Sequence, residues 1–419
     1  MTRLPTPPSL AAGAEPADVV RWVAEHLGDL ALEDPSDIAA GVARGGQSAA
    51  DSALALLDVT GYARDRSTVL PRALRGASRL SPYIRHGLLS LREVWDAVAD
   101  APSRDRGKYR DELLWQEFAR HLYARVGTTL GSTLVREQPR PPRRPTDVWA
   151  DDPWPTEMRC MDETVRELHD DGWLVNQTRM WLASQWAVRA GADWRDGEDR
   201  MFSHLLDGSR AANRLGWQWT VGTGGGKVYG FSRWQVRKRA PALCRDCALN
   251  AACPVEDWPD ADAGPRVDGP DLGSGPVPAG PAEVDGGSAE QVWLTAESLG
   301  EQDPALAEDD TRPAVFVFDE PLLRRLRLSG KRLVFLAETL GELGDTRPLE
   351  VRRGAVTNEL AGRSLAVTHA PVPGFARRAA TLAPVEVHPW PWLVRPSTES
   401  VRSFSAWRRS HRGPLASGA

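Results

Sequence analysis

Residues 257–290 split the chain into two textures. The stretch DWPDADAGPRVDGPDLGSGPVPAGPAEVDGGSA (257–289) is rich in Pro, Gly and Asp and offers little to bury. Eight acids face the single Arg266 over 257–290. Such a segment cannot offset the entropy of ordering itself, so the sequence predicts a flexible acidic linker. The residues before it read as helical, and those after it alternate strands with helices. In a chain of 419 residues that interruption predicts units at 1–256 and 291–395, joined by the linker and continued by a fraying Ser/Arg-rich tail, 396–419.

Before the linker, apolar side chains recur at three- and four-residue spacing. PADVVRWVAEHLGDLAL, YRDELLWQEFARHLYARV and NQTRMWLASQWAVRAG all carry this period, and Gly191 stands where a helix would stop. SLREVWDAVAD opens on Ser90 with Glu93 three residues on, a capping-box pattern. After residue 290 the short apolar runs QVWLT, PAVFVF, LEVRRG, SLAVTHA and VEVHPW are separated by PLLRRLRLSGKRLVFLAETLGEL and PGFARRAATLA. Strands alternating with helices predict a parallel sheet. The expected fold class is therefore multidomain α and α/β, an all-helical domain followed by a doubly wound parallel sheet.

Net charge is −5, which gives no global nucleic-acid signature. The local basic runs REQPRPPRR (136–144) and RWQVRKR (233–239) read as solvated faces. The first twenty residues hold no apolar run suited to a signal peptide, and no later stretch nears the roughly 18 apolar residues of a membrane span. A cytoplasmic protein without a membrane partner is expected. Four cysteines in such a chain do not form a disulfide framework. Three of them crowd into CRDCALNAAC as Cys244, Cys247 and Cys253, and Cys160 lies far upstream. Close thiols suit zinc, an iron–sulfur cluster or no metal at all, and spacing alone favours zinc or nothing. Tryptophan is over-represented, 17 residues with 13 before residue 260. Core filling is its ordinary role, and one-electron relay is the other.

Five motifs in order make a more specific pattern: SRLSPYIRHGLLSLREVW, ELLWQEFARHL, WLVNQTRM, DWRDGE, and LLDGSRAAN running into GWQW. Together they resemble the FAD-binding domain of the photolyase/cryptochrome family. VWLTAESLGEQDPAL, PAVFVFDE, KRLVFLAETLGEL and LEVRRG resemble that family's α/β antenna domain, more weakly. The family places that domain first. Here it comes last, which implies a circular permutation.

The resemblance implies bound FAD. Tyr62, Ser78, Leu80 and Ser81 match positions that hold the flavin's phosphates and ribityl chain. Gln116 and Ser209 occupy two further flavin-side positions. Arg179 and Asp207 match the buried pair beside the ring system, and Asn213 the residue facing its N5. Trp217, Trp194 and Trp149 match the electron relay, with Trp154 competing for the outermost place. Glu112, Trp115, Asn176, Met180 and Trp219 match the lining of a pocket that receives an extruded pyrimidine dimer. Aromatic faces there stack bases, and a carboxyl and an amide bond base edges. The implied activity is a lyase: light-driven splitting of cyclobutane dimers in DNA by an electron from reduced FAD, performed by a monomer.

Several positions depart from the family pattern. Gln116 and Gln177 stand where Arg is usual, Val175 where His is common, Ser209 for Asp and Ala77 for Thr. Two missing cations should weaken contact with DNA phosphates. A blue-light photoreceptor or redox-signalling flavoprotein of the cryptochrome kind is the alternative, and a scaffold with a dead flavin site is the third. One branch of the family, the bacterial iron–sulfur photolyases and cryptochromes, carries one Cys before the flavin helices and three after. Cys160, Cys244, Cys247 and Cys253 resemble that layout, which implies a [4Fe–4S] cluster with zinc as the alternative. An antenna chromophore is not specified by the residues.

Overall fold

The computed structural model describes residues 2–140, 147–149, 151–259 and 261–411. The capping box forms as expected. Ser90 Oγ accepts from Glu93 N at 3.1 Å while Ser90 N donates to Glu93 Oε2 at 2.7 Å, opening the helix Leu91–Ala97. The longest helix, Ser103–Val126, forms the spine of the helical half. Helix Arg210–Val221 packs along it. Gly191 does end its helix, at φ +70°, where only glycine is unstrained. The approach to it was not expected: Asn176–Ala183 widens into a π-helical turn over Ser184–Arg189.

The sheet has seven strands: β1 (Thr2–Leu4), β2 (Asp285–Gly286), β3 (Gln291–Leu294), β4 (Ala314–Asp319), β5 (Leu349–Gly354), β6 (Leu365–Thr368) and β7 (Glu386–His388). Their order is β1-β5-β4-β3-β6-β7-β2. The five apolar runs supply β3 to β7, all parallel, with Val292 opposite both Ala314 and Ala366. Strand β6 is buried throughout and β4 nearly so, which explains unbroken apolar text in place of alternation. Helix Gly330–Thr346 lies between the sheet and the helical half. Its Phe335 meets Tyr83 and His86 at 5.9 and 5.1 Å, and Glu338 Oε2 accepts from Gly45 N at 2.6 Å.

Three segments lie differently from what their textures suggest. The first residues, grouped by period with the helical domain, attach to the sheet. Strand β1 pairs antiparallel with β5, and helix Pro16–Leu27 packs on Gly330–Thr346, Trp22 lying 6.1 Å from Phe318. Amphipathic period announces a buried face but not what covers it. The Pro/Gly/Asp segment, expected as a flexible linker, runs as a strap over both halves. Val267 N bonds Val135 O at 3.0 Å, Val401 N bonds Leu272 O at 3.0 Å, and β2 pairs with β7. Its glycines permit close approach: a Cβ on Gly269 would lie 1.9 Å from Leu134 O. The tail, expected to fray, is ordered through residue 411. Helix Phe404–Ser410 buries Trp407 completely, and Trp407 Nε1 donates to His121 Nδ1 at 2.9 Å.

One apolar core is shared between the halves. A second lies wholly in the helical half and holds Trp154, Trp181, Trp194 and Trp217, each at most 1% exposed. Among the described residues no helix is long and apolar enough to cross a membrane.

Candidate functional site

Helix Asn176–Ala183 sets Arg179 one turn from its start. Arg179 Nη2 donates to Asp207 Oδ2 at 2.8 Å and its Nε to Leu174 O at 3.0 Å. Two residues past Asp207, Ser209 Oγ accepts from Ala212 N at 3.4 Å and caps helix Arg210–Val221. Asn213 follows in the first turn. Asp207 and Asn213 are buried, yet Asp207 Oδ1 and Asn213 Nδ2 have no hydrogen-bond partner among the described residues. Each open polar atom costs about 1–3 kcal/mol if left so. An acceptor and a donor held open here fit a ligand with hydrogen-bonding edges, as the ring of a flavin has.

The remaining cofactor positions gather nearby. Tyr62 packs edge-on to Tyr109 at 4.9 Å, and Tyr109 OH donates to Ser78 Oγ at 3.0 Å. Trp173 Nε1 donates to Ser81 Oγ at 3.0 Å. Both serine oxygens therefore accept from the protein and keep an O–H to offer an anion. Burial pushes the Tyr62 phenol up, and the Tyr109 phenol up to about 12, so both stay neutral. A cavity of about 340 Å³ opens beside Ser78, walled by Ala77, Arg79, Tyr83 and Trp173. Leu80 is buried and Gln116 half-buried.

The five lesion-pocket positions are only partly brought together. Asn176 Nδ2 lies 3.6 Å from Met180 Sδ, and the adjacent Gln177 Nε2 donates to Tyr229 OH at 2.5 Å. Tyr229 in turn faces Trp219 at 6.1 Å, and Trp219 is 49% exposed, open for stacking. Glu112 and Trp115 sit on Ser103–Val126 with partners of their own. Glu112 pairs with Lys108 at 2.7 Å and Arg66 at 3.2 Å. Phe404 of the C-terminal helix stacks on Trp115 at 3.9 Å and 14°. Nothing in the texture of the tail announced that contact.

Trp217 and Trp194 are 1% exposed and Trp149 5%, and among the described residues none of the three indole N–H groups has a partner. Trp154 is as buried as Trp217 and donates to Leu182 O at 2.9 Å, and Trp149, its competitor for the outermost place, is buried too. The structure adds Trp186, which sequence reasoning passed over. Gly197 lets Trp186 and Trp217 close on one spot, since a Cβ there would lie 2.7 and 2.4 Å from them. Trp186 then meets Trp154 at 4.9 Å. Small glycine between large rings was the available sequence signal, in DWRDGE.

The four cysteines, scattered in sequence, line one small cavity with Met158, Val236, Leu243 and Val255. Helix Arg159–Asp171 supplies Cys160, and the segment after Ser232 supplies the rest. Burial and the three neighbouring thiols push the Cys160 thiol up. Among the described residues no three ligating groups converge closely enough to chelate a single ion. Zinc at about 2.3 Å from four thiolates would draw the sulfurs within about 4 Å of one another. A four-iron cluster spreads its thiolates over a wider cage.

A further cavity of about 1120 Å³ lies between the halves. Trp293, Phe316 and Trp390 line it from the sheet, Arg85, Arg210 and Arg332 from the facing helices. It opens at the carboxyl ends of β3, β4 and β6, where the strand order reverses.

Residues 109–240 match a family described as the FAD binding domain of DNA photolyase. A deoxyribodipyrimidine photo-lyase of Thermus thermophilus is 34% identical over 231 residues, 53% of this chain and 50% of the relative. Its namesake in Escherichia coli is 34% identical over 165 residues, 36% of this chain and 34% of the relative. The structure of a Synechocystis cryptochrome aligns at 22% identity with a TM-score of 0.42, over 49% of this chain and 46% of that one. The chain thus spans half or less of the length of these two curated relatives.

Proposed function

We propose that the chain belongs to the photolyase/cryptochrome family and, on that premise, that it splits cyclobutane pyrimidine dimers in DNA under light, holding FAD and a [4Fe–4S] cluster. One observation carries the flavin assignment: the Arg179–Asp207 pair stands beside two buried, open polar atoms, Asp207 Oδ1 and Asn213 Nδ2. Reduced, photoexcited FAD would supply one electron to the dimer and recover it after the ring opens.

The protein's share is placement. Ser78 and Ser81 offer O–H donors to the pyrophosphate, and Asn213 offers its amide to the edge of the ring system. Arg179 holds the Asp207 carboxylate in place beside it through the Nη2–Oδ2 contact. Trp219 presents an open face to an extruded base, and the Asn176 amide with the Met180 thioether lies on the helix whose Gln177 holds Trp219's neighbour Tyr229. Trp217 begins a buried indole path by which electrons could reach the flavin. Four thiols around one cavity support a bound cluster, with zinc as the alternative, and the order of the halves is consistent with a permuted family arrangement. The inter-domain cavity is where an antenna chromophore would lie.

A photoreceptor without repair activity is the second reading, and specific contacts favour it. Gln177 is engaged by Tyr229, Glu112 by two cations and one face of Trp115 by Phe404. Purified, photoreduced protein illuminated with dimer-containing single-stranded and duplex oligonucleotides separates the two. Restored pyrimidines support repair. Flavin photoreduction with every dimer intact leaves the photoreceptor, and colourless protein refutes both.

A further inference from the structure

Arg189 closes the π-helical turn and has an unusual set of partners. Its Nε donates to Phe231 O at 2.8 Å, and its Nη2 donates to the carbonyls of Phe231 and Asp257. Among the described residues it forms no ion pair with a carboxylate. Burial lowers it to about 10, so it remains charged at neutral pH. The groups whose charge would reach it are Cys253, Asp257 and Cys160. A partly buried cation without a carboxylate partner is costly unless something anionic faces it.

The two carbonyls are also informative. Phe231 immediately precedes, and Asp257 immediately follows, the segment 232–256 that carries Cys244, Cys247 and Cys253. Arg189 therefore spans both stems of the cysteine loop. The stems have a second tie just inside, Arg233 N to Val255 O at 2.6 Å with Arg233 paired to Glu256 at 2.5 Å. Arg233 already has its acid, whereas Arg189 does not.

We propose that Arg189 is the positioning residue of the thiol site: its fork staples the loop stems, and its charge compensates the thiolates once an iron–sulfur cluster is bound. This rests on the cluster assignment under Proposed function. A four-cysteine cluster is anionic and gains negative charge on reduction, so a nearby fixed cation favours the reduced state. A lysine would keep the charge but not the planar fork that spans two carbonyls.

The test is iron and acid-labile sulfide per protein, with the cluster's reduction potential, for anaerobically purified wild type, Arg189→Gln and Arg189→Lys. Arg189→Gln is expected to lose half or more of its iron and sulfide, and its remaining cluster to reduce at a more negative potential. Arg189→Lys is expected to lose loading but hold the wild-type potential. Wild-type loading and potential in Arg189→Gln would overturn the proposal. Lower loading with an unmoved potential in that variant would overturn it too, leaving a structural clasp. Should Arg189→Gln not fold, Arg189→Lys decides: reduced loading at unchanged potential supports it, and full loading overturns it. Iron-free wild-type protein would instead sink the cluster assignment, a distinct outcome that removes the premise.

Discussion

Among the described residues, the crevice around Arg179, Asp207 and Asn213 leaves a buried donor and a buried acceptor open, whereas the cavity around Cys160 is lined by thiols and mostly apolar side chains, with Arg233 at its wall and Arg189 clasping the stems of its loop. The first arrangement suits a ligand recognised through hydrogen-bonding edges. The second suits an anionic group bonded through soft sulfur. They differ in structural weight as well. The flavin crevice is bordered by long helices that hold each other, while the cysteine loop buries little beyond Val236, Leu243 and Val255. Loss of ligand should therefore empty the crevice and loosen the loop.

Cys160→Ala should have the largest effect. Essentially all iron is expected to be lost and the melting temperature to fall by about 5 °C or more, since ligand bonding there is also folding energy. A fully flavin-loaded variant of unchanged melting temperature would erase the contrast in structural weight. Trp217→Phe should remove most flavin photoreduction while flavin content stays at the wild-type level, measured by absorbance under blue light with an external reductant. Full photoreduction would show that electrons enter by another route. Trp219→Ala should weaken binding of dimer-containing DNA by about 1–3 kcal/mol, the worth of one base–aromatic stack, with flavin and iron unchanged. On the proposed flavin assignment Asn213→Ala removes one hydrogen bond to the ligand and, among the described residues, none from its amide nitrogen to the protein, so FAD affinity should drop by about tenfold at unchanged apo-protein stability. A destabilised apo-protein would mean that the crevice, like the loop, supports the fold.

Acid sensitivity should be the smallest effect and should map to neither site. Burial, the His169 ring at 4.2 Å and the charges of Lys331 and Arg200 hold His204 down at about 3. Unfolded histidine titrates near 6.5. Between those values the unfolded chain binds the extra proton, so stability is present at neutral pH and is lost as pH falls below about 6.5. His204→Asn should flatten melting temperature against pH between 7 and 5. An unchanged slope would place the sensitivity elsewhere.

Legibility in the sequence followed the range of the forces involved. Ser90 with Glu93 is a contact between near neighbours, and it formed as read. Strands β3, β4 and β6 were legible because burial on both faces leaves a continuous apolar signature, whereas half-buried β5 and β7 were legible only as short runs between helical stretches. Arg179 meets Asp207 because the motifs fix one on helix Asn176–Ala183 and the other in the turn before helix Arg210–Val221, whose first turn carries Asn213. Hidden contacts depended on which distant surface a segment meets. Trp115 under Phe404 and Arg189 across Phe231 and Asp257 join residues with no mutual spacing to read. The strap was misleading for a related reason. Its poverty in apolar side chains is real, and it is held by main-chain hydrogen bonds that composition does not show.

The pairing of β1 with β5 joins residue 3 to residue 352. Ribosomal synthesis makes those partners about 350 residues apart, and closing so long a loop is slow and late. The segment around residue 3 must therefore remain unpaired while the helical half and most of the sheet are made. Until it returns, the outer edge of β5 is a row of free N–H and C=O groups able to accept another chain. Sheet completion is a last step that joins distant ends of the polypeptide. A clipped leading segment would leave a nearly finished protein with one adhesive border.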